Sequence, residues 1–317
     1  MLKRRIIKRI LISTGALFAL LLIYLVPVST EDVNISSIEE TSITIKKSNI
    51  YLLTDNNMLG MTSVIVDTEN TIDRAKELLE ILIHDGKGES NIPNGFRSFI
   101  PSETVINGIT YEDKILTVDF NNALLNVSKD YEMAMIESII YTLTEIDDVS
   151  YVVITVDGVG LDRLPNSNLK LPLILSRKFG INKEYDITSL SGINSITEYY
   201  VSKYNDNYYY VPVTKFVNDD RDKIKIIIED LTSSNIYMTN LMSFINSNTK
   251  LLEANVEENK MELTFNSYIL NDFDKKDILE EVIEPISLSI KDNYDVDEVI
   301  FYVNDMEICK SVLKTIE

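Results

Sequence analysis

Two stretches of the chain repeat one another at an offset of 145 residues, and this repeat restricts the possible folds more than any other feature. Residues 98–121 and 243–266 align without a gap and are identical at 8 of 24 positions. Phe120 and Phe265 end equivalent alternating apolar patterns, which are typical of strands with one buried face. Asn121 and Asn266 follow these strands, where they can close a turn or cap a helix. The repeat predicts a tandem duplication, with the boundary between the copies near residues 160–190.

Apolar periodicity predicts the same order of elements in both copies: hairpin, helix, hairpin, helix, strand. We therefore predict an α+β fold of two tandem small two-layer domains, each ordered ββαββαβ, at 48–160 and 191–317 with a linker over 161–190. Asn70 can cap the first helix. Pro285 should kink or end the last helix near Glu284. The predicted elements are 50–54, 61–66, 72–82, 104–110, 116–120, 131–145 and 151–156 in the first copy, and 196–201, 208–217, 219–231, 249–256, 261–265, 275–289 and 298–303 in the second.

The N-terminal region has the pattern of a membrane anchor. Residues 1–9 carry five basic side chains and no acidic one, and residues 10–30 carry no charge. About 20 apolar residues suffice to cross a bilayer as a helix, and positive residues stay on the cytoplasmic side. We predict a cytoplasmic segment over 1–9, a transmembrane helix over 10–30 and a stalk over 31–47, with the bulk of the chain outside the cell membrane. A cleaved signal peptide is the alternative.

The charge balance argues against nucleic acid as a partner. The chain holds 30 basic and 50 acidic side chains, a formal net charge of −20. A surface so acidic repels phosphate groups. Because all five basic residues of 1–9 lie before the predicted span, the exported part would carry a net charge of −25.

Cysteine and histidine each occur once, which limits the available chemistry. Cys309 and His84 by themselves exclude an internal disulfide, a zinc finger and a histidine-pair metal site. His84 beside Asp85 could act as a general base, but a residue favoured at a helix C-terminus explains it better. Cys309 fits a small buried apolar residue better than a reactive thiol. Gly158 to Gly160 reads as a turn, since no phosphate-binding helix follows.

Adjacent acidic residues are the remaining source of possible catalysis or metal binding. A glycosidase needs two carboxyl groups about 5–10 Å apart in a cleft, and such pairs arise by chance in a chain with 50 acidic residues. The aspartates lack the spacing of a calcium loop. We therefore expect no catalytic residue, cofactor or dedicated metal site. The pairs considered are Asp147–Asp148, Asp219–Asp220, Glu257–Glu258 and Glu280–Glu281.

Three consecutive tyrosines in the second copy are the candidate partner contacts. Tyr208, Tyr209 and Tyr210 lie on a predicted strand, where alternate side chains point to opposite faces. Ordinary cross-strand pairing is the simpler explanation. The alternative is an aromatic anchor for a partner surface or a glycan.

A set of motifs in the first copy resembles the GerM domain family of sporulation and spore germination proteins. The resemblance covers residues 50–182 well and is weaker in the second copy, which lacks the Ile-Pro pair and ends Val303-Asn304-Asp305. One feature departs from the family: the best-known member is a lipoprotein, and no cysteine follows the apolar N-terminal run here. The motifs are Phe99-Ile-Pro101 with Thr104, Ile115-Leu-Thr-Val-Asp-Phe-Asn121, Ile139-Ile-Tyr-Thr-Leu-Thr-Glu145, Val149 to Gly158, Leu171-Pro-Leu-Ile-Leu-Ser-Arg177 and Gly180-Ile-Asn182.

The resemblance implies a fold similar to the ring-building motifs of secretion systems, and a function without catalysis. It implies a membrane protein of sporulating Gram-positive bacteria that helps to position another exported membrane protein, such as a forespore-side channel component. We therefore expect a non-enzymatic extracytoplasmic scaffold, whose oligomeric state is left open. The alternative is a cell-wall protein that binds or hydrolyses peptidoglycan with paired carboxylates.

Overall fold

The computed structural model describes residues 47–68, 70–233 and 241–313. The predicted cytoplasmic segment, transmembrane helix and nearly all of the predicted stalk lie outside these residues. Within them, no helix combines the length and apolarity needed to cross a bilayer. The described residues belong to one compact unit.

The first copy follows the predicted order with two short strands added. Asn70 caps the first helix by accepting a hydrogen bond from the backbone N–H of Ile72 at 2.8 Å, as predicted. The additional strands are β3 and β7. The elements are β1 (Lys47–Thr54), β2 (Leu59–Ile65), α1 (Thr71–Leu82), β3 (Phe96–Arg97), β4 (Ile106–Glu112), β5 (Ile115–Phe120), α2 (Glu132–Leu143), β6 (Tyr151–Val156) and β7 (Val159–Gly160).

The second copy repeats this order, without a counterpart of β3 among the described residues, behind a linker that contains one short strand. Asp222 caps its first helix, which begins four residues later than predicted. A final strand closes the copy, and it was not predicted. The elements are β8 (Glu184–Asp186) in the linker, then β9 (Asn194–Tyr204), β10 (Asn207–Val217), α3 (Lys223–Thr232), β11 (Leu251–Glu257), β12 (Lys260–Phe265), α4 (Glu280–Asn293), β13 (Glu298–Val303) and β14 (Met306–Val312).

Each copy contains a four-stranded sheet of its own, and the two sheets have the same topology. Their orders are β4–β5–β6–β7 and β11–β12–β13–β14, with antiparallel, parallel and antiparallel neighbours in turn. Phe120 and Phe265 are fully buried at equivalent positions, as the repeat predicts. Asn121 and Asn266 fix the same loop in each copy, since their side chains accept backbone hydrogen bonds from Val105 at 2.9 Å and Lys250 at 3.1 Å.

The leading hairpins lie differently from what the prediction of two tandem two-layer domains implies. They do not stay within their copies but join one six-stranded sheet, in which β3, β1, β2 and β10 follow one another. Tyr210 of β10 pairs with Met61 of β2 at the join between the copies. β9 pairs along the full length of the other edge of β10, and β8 pairs parallel with its end. The shared sheet does not define where one domain ends and the next begins. The predicted domain boundaries 48–160 and 191–317 therefore stay a prediction.

The last helix also departs from its prediction. α4 begins at Glu280 and continues through Pro285 to Asn293, so it does not end near Glu284. Pro285 is the sixth residue of α4, so the helix continues through a position that lacks the backbone N–H donor. The hydroxyl of Ser289 donates a hydrogen bond to the Pro285 carbonyl at 2.6 Å.

Candidate functional site

Arg177 of the linker lies at the centre of a buried polar cluster between the two copies. It belongs to a short 3-10 turn over Arg177–Phe179. Its guanidinium donates to Glu145 of the first copy at 3.0 Å, and its Nε lies 2.7 Å from a carboxylate oxygen of Asp292 of the second. It also donates to the hydroxyls of Tyr51 at 2.9 Å and Tyr199 at 3.0 Å. One side chain therefore holds two groups from each copy.

The groups around Arg177 occupy equivalent positions in the folds of the two copies. Tyr51 and Tyr199 stand on the first strands of their leading hairpins, and their hydroxyl oxygens lie 3.1 Å apart. Each tyrosine donates a 2.9 Å hydrogen bond to the carboxylate of its own copy, Tyr51 to Glu145 and Tyr199 to Asp292. The duplication has thus brought two copies of one tyrosine–carboxylate pair together around a single arginine.

The electrostatics of this cluster keep Glu145 and Arg177 ionised. Burial opposes ionisation of Glu145, but the charges of Lys291 and Arg177 outweigh it and lower the pKa of that carboxyl to about 2. Burial likewise opposes the charge on Arg177, but Asp292 and the other neighbours raise its pKa above the ordinary value. A carboxyl that stays ionised down to pH 2 cannot donate a proton at neutral pH. The arrangement is suited to joining the copies rather than to acid–base chemistry.

Sequence reasoning missed this pair of carboxylates. Glu145 comes from the first copy and Asp292 from the second, and the Arg177 guanidinium lies between the two carboxylates. The available signal was their separation of 147 residues, which is close to the offset of the repeat, together with an arginine in the linker. Nothing in the sequence indicates that the linker passes between the two copies.

The acidic pairs that the sequence singled out are separated in the structure. Asp219 is held by Arg221 at 2.8 Å, and hydrogen bonds from that side chain lower the pKa of Asp219. The other pairs occupy a strand end and a hairpin turn (Glu257–Glu258), the first turn of α4 (Glu280–Glu281) and the stretch between α2 and β6 (Asp147–Asp148). None of these pairs converges with another in the described part of the chain.

His84 lies just after α1, with an exposed side chain. Its ring nitrogens are 3.8 Å from Asp85 and 3.6 Å from Glu89, so these three residues could reach one metal ion. Cys309 is half-buried on β14 opposite Phe301, and burial raises the pKa of its thiol to about 11. A thiol of that pKa is protonated at neutral pH and is a weak nucleophile.

Glu198 is a fully buried carboxyl beneath an open cavity of about 660 Å³. Tyr200 donates to it at 2.6 Å, and the amine of Lys215 lies 2.9 Å away. Burial raises the pKa of Glu198 to about 8, although Lys215 acts in the opposite direction. Its second oxygen has no hydrogen-bond partner among the described residues, which also favours the protonated form. Asp230, a carboxylate that lines the cavity, is bound by Lys215 at 2.8 Å.

Glu137 of α2 is a second buried carboxyl, and it anchors the linker. It accepts a hydrogen bond from the backbone N–H of Asn182 at 2.9 Å, and the amine of Lys183 lies 3.4 Å away. Burial raises the pKa of Glu137 to about 7 despite that amine. Like Glu145, it connects segments that are far apart in the sequence.

The three candidate tyrosines have different environments. Tyr208 is 45% exposed and packs edge-on against Phe244, with ring centroids 5.4 Å apart. Tyr209 is buried against Phe96, at a centroid distance of 5.0 Å. Tyr210 is partly buried at the join between β10 and β2. Tyr208 is therefore the member that presents most of its ring to solvent, and its contact with a partner stays a prediction.

Comparison with known proteins gives consistent matches. The family described as Germane, sporulation and spore germination, matches residues 49–162. The spore germination protein GerM of Bacillus subtilis (strain 168) is 30% identical over 261 residues, which cover 80% of this chain and 70% of that protein. The solved tandem GerMN domains of the sporulation protein GerM from Bacillus subtilis are similar in structure. Their TM-score is 0.73 at 28% identity, covering 82% of this chain and 91% of that one.

The fold and the Arg177 cluster define a duplicated α+β protein whose two copies are joined through a shared sheet and a partly buried arginine. With the sequence identity and coverage above, the chain belongs to the GerM family of sporulation and spore germination proteins. This homology supports a role in sporulation or germination.

Proposed function

We propose that the protein is a non-enzymatic scaffold, anchored in the cell membrane by residues 10–30, that positions another exported membrane protein during sporulation or germination. The observation that carries the proposal is that buried carboxyl groups join segments of this chain to one another. Glu145, Glu137 and Asp292 bind the linker or the opposite copy at 2.7–3.0 Å. A molecule held together in this way keeps one shape, which is what a positioning role requires.

The proposed partner carries a basic surface. With 30 basic and 50 acidic side chains the chain is strongly acidic, and the acidic excess falls in the part proposed to be exported. Complementary charge speeds association and makes it sensitive to salt. The family resemblance suggests a channel component on the forespore side as that partner.

The proposed topology is tested separately from binding. Protease added to intact protoplasts should digest residues 31–317 of the full-length chain while a cytoplasmic marker stays intact. Complete protection of the chain would contradict a single-pass anchor with its bulk outside the cell.

The scaffold role is tested by crosslinking the full-length chain in sporulating cells, followed by identification of the captured proteins. The expected result is one exported membrane protein, which the purified chain also binds saturably. That affinity should fall when the salt concentration rises from about 0.05 to 0.5 M, because the screening length shortens several-fold. Failure to bind any exported protein at low salt would contradict the proposal.

The alternative, a protein that hydrolyses peptidoglycan, predicts a different result. The purified chain would release soluble fragments from isolated peptidoglycan, and replacing Glu198 or Asp230 by the amide would abolish that release. We expect no release, because the cavity carboxylate Asp230 is neutralised by Lys215 and Glu198 is fully buried beneath it.

A further inference from the structure

A short loop between β8 and β9 is held rigidly by one side chain. We call residues 187–193 the Leu190 loop. The side-chain oxygen of Asn218 accepts hydrogen bonds from the backbone N–H groups of Thr188 at 2.7 Å and Ser189 at 2.8 Å. Its amide donates to the carbonyls of Ser191 at 2.9 Å and Gly192 at 3.3 Å. Gly192 has a φ of +67°, which lets the chain turn back without strain.

The ordered loop exposes apolar rather than polar side chains. Leu190 at its tip is 92% exposed, the highest value among the large apolar side chains of the described residues. Ile187 and Ile193 are exposed beside it, and Tyr185 on β8 stacks on Phe216 at a centroid distance of 5.1 Å. An apolar group fixed in an exposed position is typical of a binding surface, because the entropy cost of ordering the loop is already met.

The rim of this apolar tip is acidic. Asp186 precedes the loop, and Asp220 lies close to its end because the Asn194 side chain donates to the Asp219 carbonyl at 2.8 Å. Both carboxylates are exposed, and neither forms an ion pair within the described part of the chain. This charge disfavours anionic lipid head groups and a second copy of this acidic chain. It favours a protein pocket that is apolar at its centre and lined by Lys or Arg at its edge.

We infer that the Leu190 loop is a docking element that inserts Leu190 into an apolar pocket with a basic rim on the exported protein that the scaffold positions. The inference rests on the proposed function and adds the surface and the chemistry of the contact. Tyr208 is not required for it.

The first test places the photocrosslinking residue benzoylphenylalanine at position 190 of the full-length chain in sporulating cells. A matched control places it at Leu252 on β11, which is 60% exposed. We expect position 190 to capture an exported protein through a segment that contains apolar residues and Lys or Arg, and position 252 not to capture it.

The second test measures the affinity of the purified full-length chain for the captured protein. Leu190→Ser should weaken binding by about tenfold or more, as for a central anchor residue. Leu252→Ser should change the affinity less than about twofold. Asn218→Ala keeps Leu190 but removes the hydrogen bonds that order the loop. We expect this variant to bind several-fold more weakly, because binding must then order the loop. Asp186→Asn with Asp220→Asn should reduce the salt dependence of association.

Several outcomes would overturn the inference. Capture of lipid, of a second copy or of residues 1–46 of the same chain from position 190 would assign the loop to another occupant. The absence of any crosslink from position 190 would remove the contact. Unchanged affinity of Leu190→Ser for a partner that still binds would overturn the docking role and leave the scaffold proposal intact. Absence of binding by the unmodified chain would instead overturn the scaffold proposal itself.

Discussion

At the scale of single residues, the buried charges carry most of the information about this protein. Removing a charge from water costs several kcal/mol, and the cost is recovered only with well-placed partners. Arg177 meets that condition, since its guanidinium binds two carboxylates and two tyrosine hydroxyls and lies 4.3 Å from the centroid of the Tyr141 ring. Such a residue is expected to determine how the two copies fit together.

Replacement of Arg177 should therefore be severe. We expect Arg177→Met to lower the free energy of unfolding by about 3–5 kcal/mol, because Glu145 and Asp292 would keep buried charges without their shared partner. The measurement is urea denaturation followed by tyrosine fluorescence, since the chain has 17 tyrosines and no tryptophan. Arg221→Met, at an exposed ion pair, should leave stability close to the wild-type value. Equal losses of stability at the two positions would show that the Arg177 cluster does not stabilise the contact between the copies.

The duplicated cores give a matched pair of substitutions. We expect Phe120→Ala and Phe265→Ala each to cost about 3–5 kcal/mol, because both rings are fully buried at equivalent sheet positions. Phe273→Ala, at a ring that is mostly exposed, serves as the control in the same denaturation experiment. A loss below about 1 kcal/mol at either buried site would contradict its packing.

At the scale of elements, helices complete the hydrogen bonding of the first strand of each leading hairpin. The backbone N–H of Tyr51 on β1 donates to the Thr142 hydroxyl of α2 at 3.1 Å. In the second copy, the N–H of Tyr199 on β9 donates to the Ser289 hydroxyl of α4 at 2.9 Å. Because buried N–H groups need partners, these helices carry hydroxyls on faces that would otherwise be apolar.

Removal of these hydroxyls tests their role directly. We expect Thr142→Val and Ser289→Ala each to cost about 1–3 kcal/mol, because each leaves a buried backbone N–H without a partner. Thr110→Val, at an exposed site on β4, is the control. Amide hydrogen exchange at Tyr51 and Tyr199 should accelerate in the corresponding variant, and unchanged protection in both would contradict the assignment.

At the scale of the whole molecule, the copies share one sheet, and three buried carboxyls have shifted pKa values. Those carboxyls fall into two groups, which make stability depend on pH in opposite directions. Charged neighbours lower the pKa of Glu145 to about 2, whereas burial raises that of Glu137 to about 7 and that of Glu198 to about 8, from an ordinary value of 4.5. The dependence of stability on pH should therefore change sign near pH 4.5.

The expected pH profile has its maximum near pH 4.5. Glu145 contributes stability above pH 4.5 and loses it as the pH falls through about 2, because its carboxyl is ionised more readily in the folded state. Glu137 and Glu198 contribute stability below pH 4.5 and lose it as the pH rises through about 7 and 8, because the folded state holds their protons. Urea denaturation from pH 5 to 8.5 should show falling stability, and Glu137→Gln with Glu198→Gln should flatten that slope. A slope unchanged in the double variant would contradict the raised pKa values.

The sequence by itself determined the duplication, the α+β class, most elements and the family. These features depend on local periodicity, on turn-forming residues such as Asn121 and Asn266, and on motifs that the chain carries in order. Only the tertiary structure decided that the leading hairpins join in one sheet and that Arg177 joins Glu145 to Asp292. Such contacts unite residues more than 30 positions apart, and their energy depends on burial, which no local pattern contains. Likewise the isolated Leu190 looks unremarkable in the sequence, because its exposure results from hydrogen bonds made by the distant Asn218.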